Sequence, residues 1–154
     1  MMVVHNISIS LTENLLRFNM EINIDFDGTV TTHEFPNIGK DIGAVPVLKR
    51  LVDNGHKLIL FTMRSNRPFI NFNGSTRDTL EEAVQWFADN EIPLFGINAN
   101  PGQKDWTDSP KSYAQLLIDD TALGCPLRYD TKISQRPFVD WGKTEEWLES
   151  RGLI

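Results

Sequence analysis

A single cysteine, Cys125, stands among the 154 residues, so the chain cannot close an internal disulfide. Long apolar runs are missing as well, and none approaches the roughly 20 residues needed to cross a bilayer. No leading stretch combines a basic region, an apolar run and a cleavage site, so a cytoplasmic location and no membrane partner are expected. Positive charge is also scarce, with 15 Lys and Arg against 21 Asp and Glu, a net charge of −6. Affinity for a polyanion comes largely from basic side chains that displace counterions, so polymeric nucleic acid is not an expected partner. A small phosphorylated substrate fits this balance better, provided a metal offsets the repulsion. Internal repeats and low-complexity tracts are absent. With 40% hydrophobic residues, the chain can bury one sizeable core and is expected to form one compact domain.

Strand and helix signals alternate along the chain, the pattern of an α/β fold with a mostly parallel sheet. The first strong strand is expected over residues 21–26. Ile42, Val45, Leu48, Leu51 and Val52 then recur at helical spacing until Asn54-Gly55 supplies a stop. A second strand follows over 57–61, and 64–75, rich in Arg, Asn, Pro and Gly, reads as a loop. Leu80, Ala83, Val84, Phe87 and Ala88 share one helix face, with a cap expected at Thr79 or the Ser and Thr before it. Further strands are expected over 95–99, 115–118 and 127–129. Ser109-Pro110 reads as the cap and first position of a short helix, and 140–150 as a closing helix. Residues 1–19 carry no chemistry and are expected to be an accessory strand or a tail, with 20–154 as the folded domain.

The informative stretch is Ile22-Asn23-Ile24-Asp25-Phe26-Asp27-Gly28-Thr29, an alternating strand that ends in two aspartates and a glycine. Gly28 permits a sharp turn. Carboxylates two residues apart just past a strand suit phosphoryl transfer: one attacks phosphorus and the other handles the leaving-group proton. A calcium loop would instead need Asp or Asn where Thr29 stands, Gly at Val30 and Glu at Pro36, and the chain has none of these. Thr62 ends the second strand and Asp119-Asp120 the fourth, so separate strands deliver hydroxyl and carboxylate groups to one sheet edge. In open parallel sheets that edge is where ligands bind.

Asp25-Phe26-Asp27-Gly28-Thr29 resembles the DxDGT signature of the haloacid dehalogenase-like superfamily. Leu58-Ile59-Leu60-Phe61-Thr62 is similar to its second motif, Lys111 in Ser109-Pro110-Lys111 to its third, and Leu116-Leu117-Ile118-Asp119-Asp120 to its acidic fourth. The resemblance spans about residues 20–130 and implies a three-layer α/β/α Rossmann-like fold with a mostly parallel five-stranded sheet. It further implies that Asp25 is the nucleophile and Asp27 the acid and base, while Thr62 binds a phosphoryl oxygen and Lys111 neutralises charge, with Lys104 as its rival. Mg²⁺ would sit on Asp25, the backbone carbonyl of Asp27, and Asp119 or Asp120, the last choice being open. Haloacid dehalogenases lack the second aspartate, so Asp27 argues for a phosphate ester.

Between Thr29 and Thr62 there is room for a flap and one helix, so no large cap domain is expected. Substrate contacts then fall to Gly28, Thr29, Arg64 and Arg67, with Phe69, Asn71 and Phe72 nearby and His33 and Phe35 on the flap. The Leu-Leu-Ile-Asp-Asp stretch with a lysine upstream resembles the deoxyribonucleotidase branch, which implies a nucleoside monophosphate. The leading reading is a magnesium-dependent phosphomonoesterase acting through an aspartyl-phosphate. Its alternatives are a phosphotransferase and a metal-binding regulatory module without turnover.

Overall fold

The computed structural model describes residues 19–154. The expected N-terminal extension lies, apart from Asn19, outside the described residues. The centre of the fold is β1 (Glu21–Ile24), whose alternating Ile22 and Ile24 are fully buried. On one side it pairs in parallel with β2 (Lys57–Leu60), Ile22 opposite Leu58 and Ile24 opposite Leu60. On the other side it pairs in parallel with β6 (Leu116–Ile118), Ile24 opposite Ile118. β5 (Leu94–Ile97) joins the far edge of β2, giving a four-stranded parallel sheet in the order β5-β2-β1-β6.

The chain steps outward from β1 to β2 to β5 and then returns to the opposite side of β1. The switch point therefore falls between β1 and β6, where an open α/β sheet binds its ligands.

Helix α1 (Ala44–Asp53) buries Ala44, Val47, Leu48 and Leu51 and stops at Asn54-Gly55 as expected. Gly55 takes a φ of 89° that a side chain would disfavour, and its N–H donates to the Val52 carbonyl at 2.8 Å. Helix α2 (Thr79–Asp89) is capped by Asp78, whose side chain accepts from the Glu81 N–H at 2.9 Å. The expected caps Ser75 and Thr76 are instead part of a small hairpin, β3 (Phe69–Ile70) with β4 (Thr76–Arg77), whose first strand lies inside the stretch expected to be loop and whose second lies just past it. Helix α3 (Trp141–Ser150) is capped by Asp140 in the same way. Side chains from all these helices join Ile22, Ile24, Leu58, Leu60 and Ile118 in one core.

Two expectations need correction. Leu127 and Arg128 do form a strand, β7 (Leu127–Arg128), but it pairs antiparallel with β8 (Phe138–Val139) and does not extend the sheet. Among the described residues the central sheet therefore has four strands, not five. No helix starts at Ser109-Pro110 either. Ser109 Oγ accepts the Lys111 N–H at 3.2 Å, while the buried Gln103 amide donates to the Ser109 and Lys111 carbonyls at 2.8 and 3.1 Å. Backbone groups that would propagate a helix are thus bound elsewhere. Through Ser112 this irregular connection lies against the sheet face that carries Asn23. None of the described helices is long and apolar enough to cross a membrane.

Candidate functional site

The strand order brings the residues after β1, β2 and β6 to one edge. Asp25 follows β1, and its N–H donates to the Ile118 carbonyl at 3.0 Å, which fastens the first turn to β6. Asp119 and Asp120 follow β6. One carboxylate oxygen from each of Asp25, Asp119 and Asp120 lies within 4.8 Å of the others. At an effective dielectric of about 20, unit charges 4.8 Å apart repel by roughly 3 kcal/mol per pair. Burial, and then the Asp119 and Asp120 charges, push the Asp25 carboxyl up to about 7, against hydrogen bonds from the Phe26 N–H and the Thr29 hydroxyl that favour the anion. An all-oxygen, acidic donor set of this kind fits a hard divalent cation, which would relieve that repulsion.

Asp27, two residues on, leaves its carboxylate outside this cluster. Both its oxygens accept from Arg64, Oδ2 from Nε and Oδ1 from a terminal nitrogen, each at 2.7 Å.

Thr62 sits past β2. Its N–H donates to Asn98 Oδ1 at 2.8 Å, and its hydroxyl accepts the Arg64 N–H at 3.2 Å. Asn98 adopts a φ of 51° in order to turn back over β2, a conformation asparagine tolerates better than most residues. Lys111 is exposed and joins no ion pair among the described residues. Its position follows from its neighbours. Gln115 donates its N–H to the Glu21 carbonyl at 2.9 Å, and Ser112 bonds with the Asn23 side chain in both directions. The connection thus runs along β1 in the reverse sense and puts Lys111 beyond Asn23, on the Asp25 side. Here it borders a cleft of about 570 Å³ with Asn23, Phe61, Trp106 and Tyr113. Lys104 lies exposed in the same connection, next to Gln103.

Three of the expected substrate contacts have other employment. Thr29 is fully buried, and its hydroxyl donates to Asp25 Oδ2 at 2.9 Å while accepting the Asp120 N–H at 3.1 Å. It positions two members of the acidic cluster and has no surface to offer a ligand. Gly28 spends its N–H on the Thr31 carbonyl and its carbonyl on the Val139 N–H. Its φ is 84°, and a Cβ there would stand 2.3 Å from His33 Nε2 and 2.7 Å from Asp120 Oδ2. Glycine is needed so that His33 can approach Asp120, at 2.8 Å between Nε2 and Oδ2. Arg64 is 2% exposed and donates to the Pro36, Asn37 and Thr79 carbonyls as well as to Asp27. Of the four candidates only Arg67 is exposed to a ligand, on a rim with Phe35, Met63 and Phe69.

Sequence reasoning missed Asn98, Gln103 and Trp141, whose indole N–H donates to the Thr29 carbonyl at 2.7 Å. One signal was present: Asn23 is a polar residue within an apolar strand, and it is 5% exposed. His33, a further candidate on the flap, meets the acidic cluster at Asp120.

Fold and site define an α/β protein with a Rossmann-like parallel sheet and an acidic cluster at its switch point. No family model and no curated protein matches the chain. Among solved structures it is similar to a conserved protein from Bacteroides thetaiotaomicron, with a TM-score of 0.64 and 30% identity over 86% of this chain and 92% of that one. The chain belongs to the same family as that conserved protein.

Proposed function

We propose that this protein is a phosphomonoesterase of the haloacid dehalogenase-like superfamily, acting through an aspartyl-phosphate on a small phosphorylated metabolite, with a nucleoside monophosphate as the preferred candidate. The observation that carries the reading is the meeting of Asp25, Asp119 and Asp120 within 4.8 Å at the sheet edge, with the Asp25 carboxyl pushed up to about 7. Carboxylates crowd in this way where a cation and an anionic substrate are to be handled together. Mg²⁺ on Asp25 with Asp119 or Asp120 would supply positive charge against the phosphate oxygens.

In the first step an Asp25 oxygen bonds to phosphorus as the ester P–O bond breaks, and a proton passes from Asp27 to the leaving oxygen. In the second, water attacks phosphorus, Asp27 takes its proton, and the bond from Asp25 to phosphorus breaks. Thr62 and Lys111 bind the phosphoryl group, the lysine from the cleft side. Thr29 holds Asp25 to the backbone of Asp120, so that nucleophile and cluster keep their spacing.

One observation favours a second reading, a metal-binding module without turnover: both Asp27 oxygens are engaged by Arg64. Phosphate release from p-nitrophenyl phosphate and a panel of nucleoside monophosphates, with Mg²⁺ or EDTA, separates the two. Metal-dependent release that is lost in Asp25→Asn supports the phosphatase. A folded protein that binds Mg²⁺ and releases nothing from any ester supports the module.

A further inference from the structure

Arg64 is the largest of the fully buried side chains, and no apolar packing argument accounts for a guanidinium there. Its fork is used completely. On one side it grips Asp27, and on the other it donates to the carbonyls of Pro36 and Asn37 in the flap between β1 and α1, at 3.2 and 2.7 Å. A further bond at 3.3 Å reaches the Thr79 carbonyl at the start of α2. The guanidinium carbon lies 4.8 Å from the Phe26 ring centre and 5.3 Å from that of Phe35, so an aromatic ring from the strand end and one from the flap both lie against it. Phe35 in turn meets Phe69 of the β3–β4 hairpin edge to face, at 5.6 Å.

We propose that Arg64 is a positioning residue that couples Asp27 to the flap, so that the acid/base carboxylate is aligned only while the flap is seated. The proposal rests on the phosphatase reading for its catalytic half and on geometry alone for the coupling. The two oxygens of Asp27 present about four lone-pair directions, of which the fork takes two. The remaining directions stay available for a substrate or a water, and the fork fixes where they point. A lysine cannot reproduce this, because a single ammonium does not match both carboxylate oxygens and the flap carbonyls together.

The test compares wild type, Arg64→Lys, Arg64→Gln and Asp27→Asn by hydrogen exchange and by turnover. If the coupling is real, Arg64→Lys and Asp27→Asn each speed exchange of the flap amides over residues 31–40 relative to the amides of β1 and β2, which serve as the internal reference. A uniform rise across flap and sheet, or no rise in the flap, overturns it. For turnover, phosphate esters with poor leaving groups, such as alkyl phosphates, are compared with p-nitrophenyl phosphate, whose leaving group needs little protonation. Arg64→Lys is expected to slow the alkyl esters by about 10²-fold, the low end of what a positioned proton-transfer group contributes, and p-nitrophenyl phosphate far less. An equal loss on both overturns the alignment. Should Arg64→Gln fail to fold, Arg64→Lys and Asp27→Asn still decide the outcome. A wild type that hydrolyses no ester overturns the phosphatase reading and with it the alignment, while flap exchange still decides the coupling.

Discussion

Replacing Asp25 by asparagine should stabilise the metal-free protein at high pH while removing its proposed nucleophile. In the folded chain the carboxyl is pushed up to about 7, chiefly by burial and then by Asp119 and Asp120. In the unfolded chain it titrates near its ordinary value of 3.8. Between those values the folded state binds more protons than the unfolded one, so stability falls as pH rises from about 4 to about 7 and levels off above that. About three pH units correspond to roughly 4 kcal/mol, an upper figure because solvent reaches part of the group. Asparagine keeps an oxygen that can accept the Thr29 hydroxyl and carries no charge, so Asp25→Asn loses this dependence. Urea unfolding followed by tryptophan fluorescence in EDTA, from pH 4.5 to 8.5, measures the difference between variant and wild type. That difference should be small at the acid end and should grow by a few kcal/mol toward pH 8. Saturating Mg²⁺ at pH 8 should stabilise wild type more than the variant, because the ion binds only the folded cluster. A difference that does not change with pH would refute the claim that burial and the neighbouring charges strain Asp25.

Gly28→Ala should cost roughly 1–3 kcal/mol from its left-handed backbone, and it should also displace His33 from Asp120. Urea midpoints and the imidazole signals of His33 would show both effects. Thr29→Val should cost about 1–3 kcal/mol by leaving the buried Asp120 N–H without an acceptor, and Thr29→Ser should recover most of the loss in the same unfolding assay. Gln103→Ala should free residues 109–113, read as faster amide exchange there, and should raise KM for ester substrates more than it lowers kcat, because it releases the loop that carries Lys111.

The strands of the sheet were legible because buried strands write themselves as compact apolar runs, as in Leu58 to Leu60, or as apolar alternation, as in Ile22-Asn23-Ile24. The residues after them, Asp25, Thr62, Asp119 and Asp120, were legible for the same reason: a strand that is located also locates its end. What the sequence does not record is which residues become neighbours. Thr29 and Arg64 looked like ligands for a substrate because they sit in loops at that edge. Their partners lie 91 and 37 positions away in sequence, and no local pattern records such a bond. Ser109-Pro110 carried a sound helix-start signal that was overridden by the Gln103 amide from several residues upstream. The strand at Leu127 was detected, yet its pairing depended on Phe138 and Val139, a segment too short to show periodicity.

Arg64 touches the flap's backbone through carbonyl oxygens alone, those of Pro36 and Asn37. Every amino acid supplies that same oxygen, so this part of the grip does not depend on which side chains stand at 36 and 37, and of the flap's side chains Phe35 adds its ring against the guanidinium. Residues facing outward from the flap can therefore change with the ligand to be recognised while the anchorage beneath them stays constant. Within a family built on this scaffold, diversity should gather at flap side chains that do not touch the guanidinium and constancy at Asp27, Arg64 and the aromatic ring at Phe35.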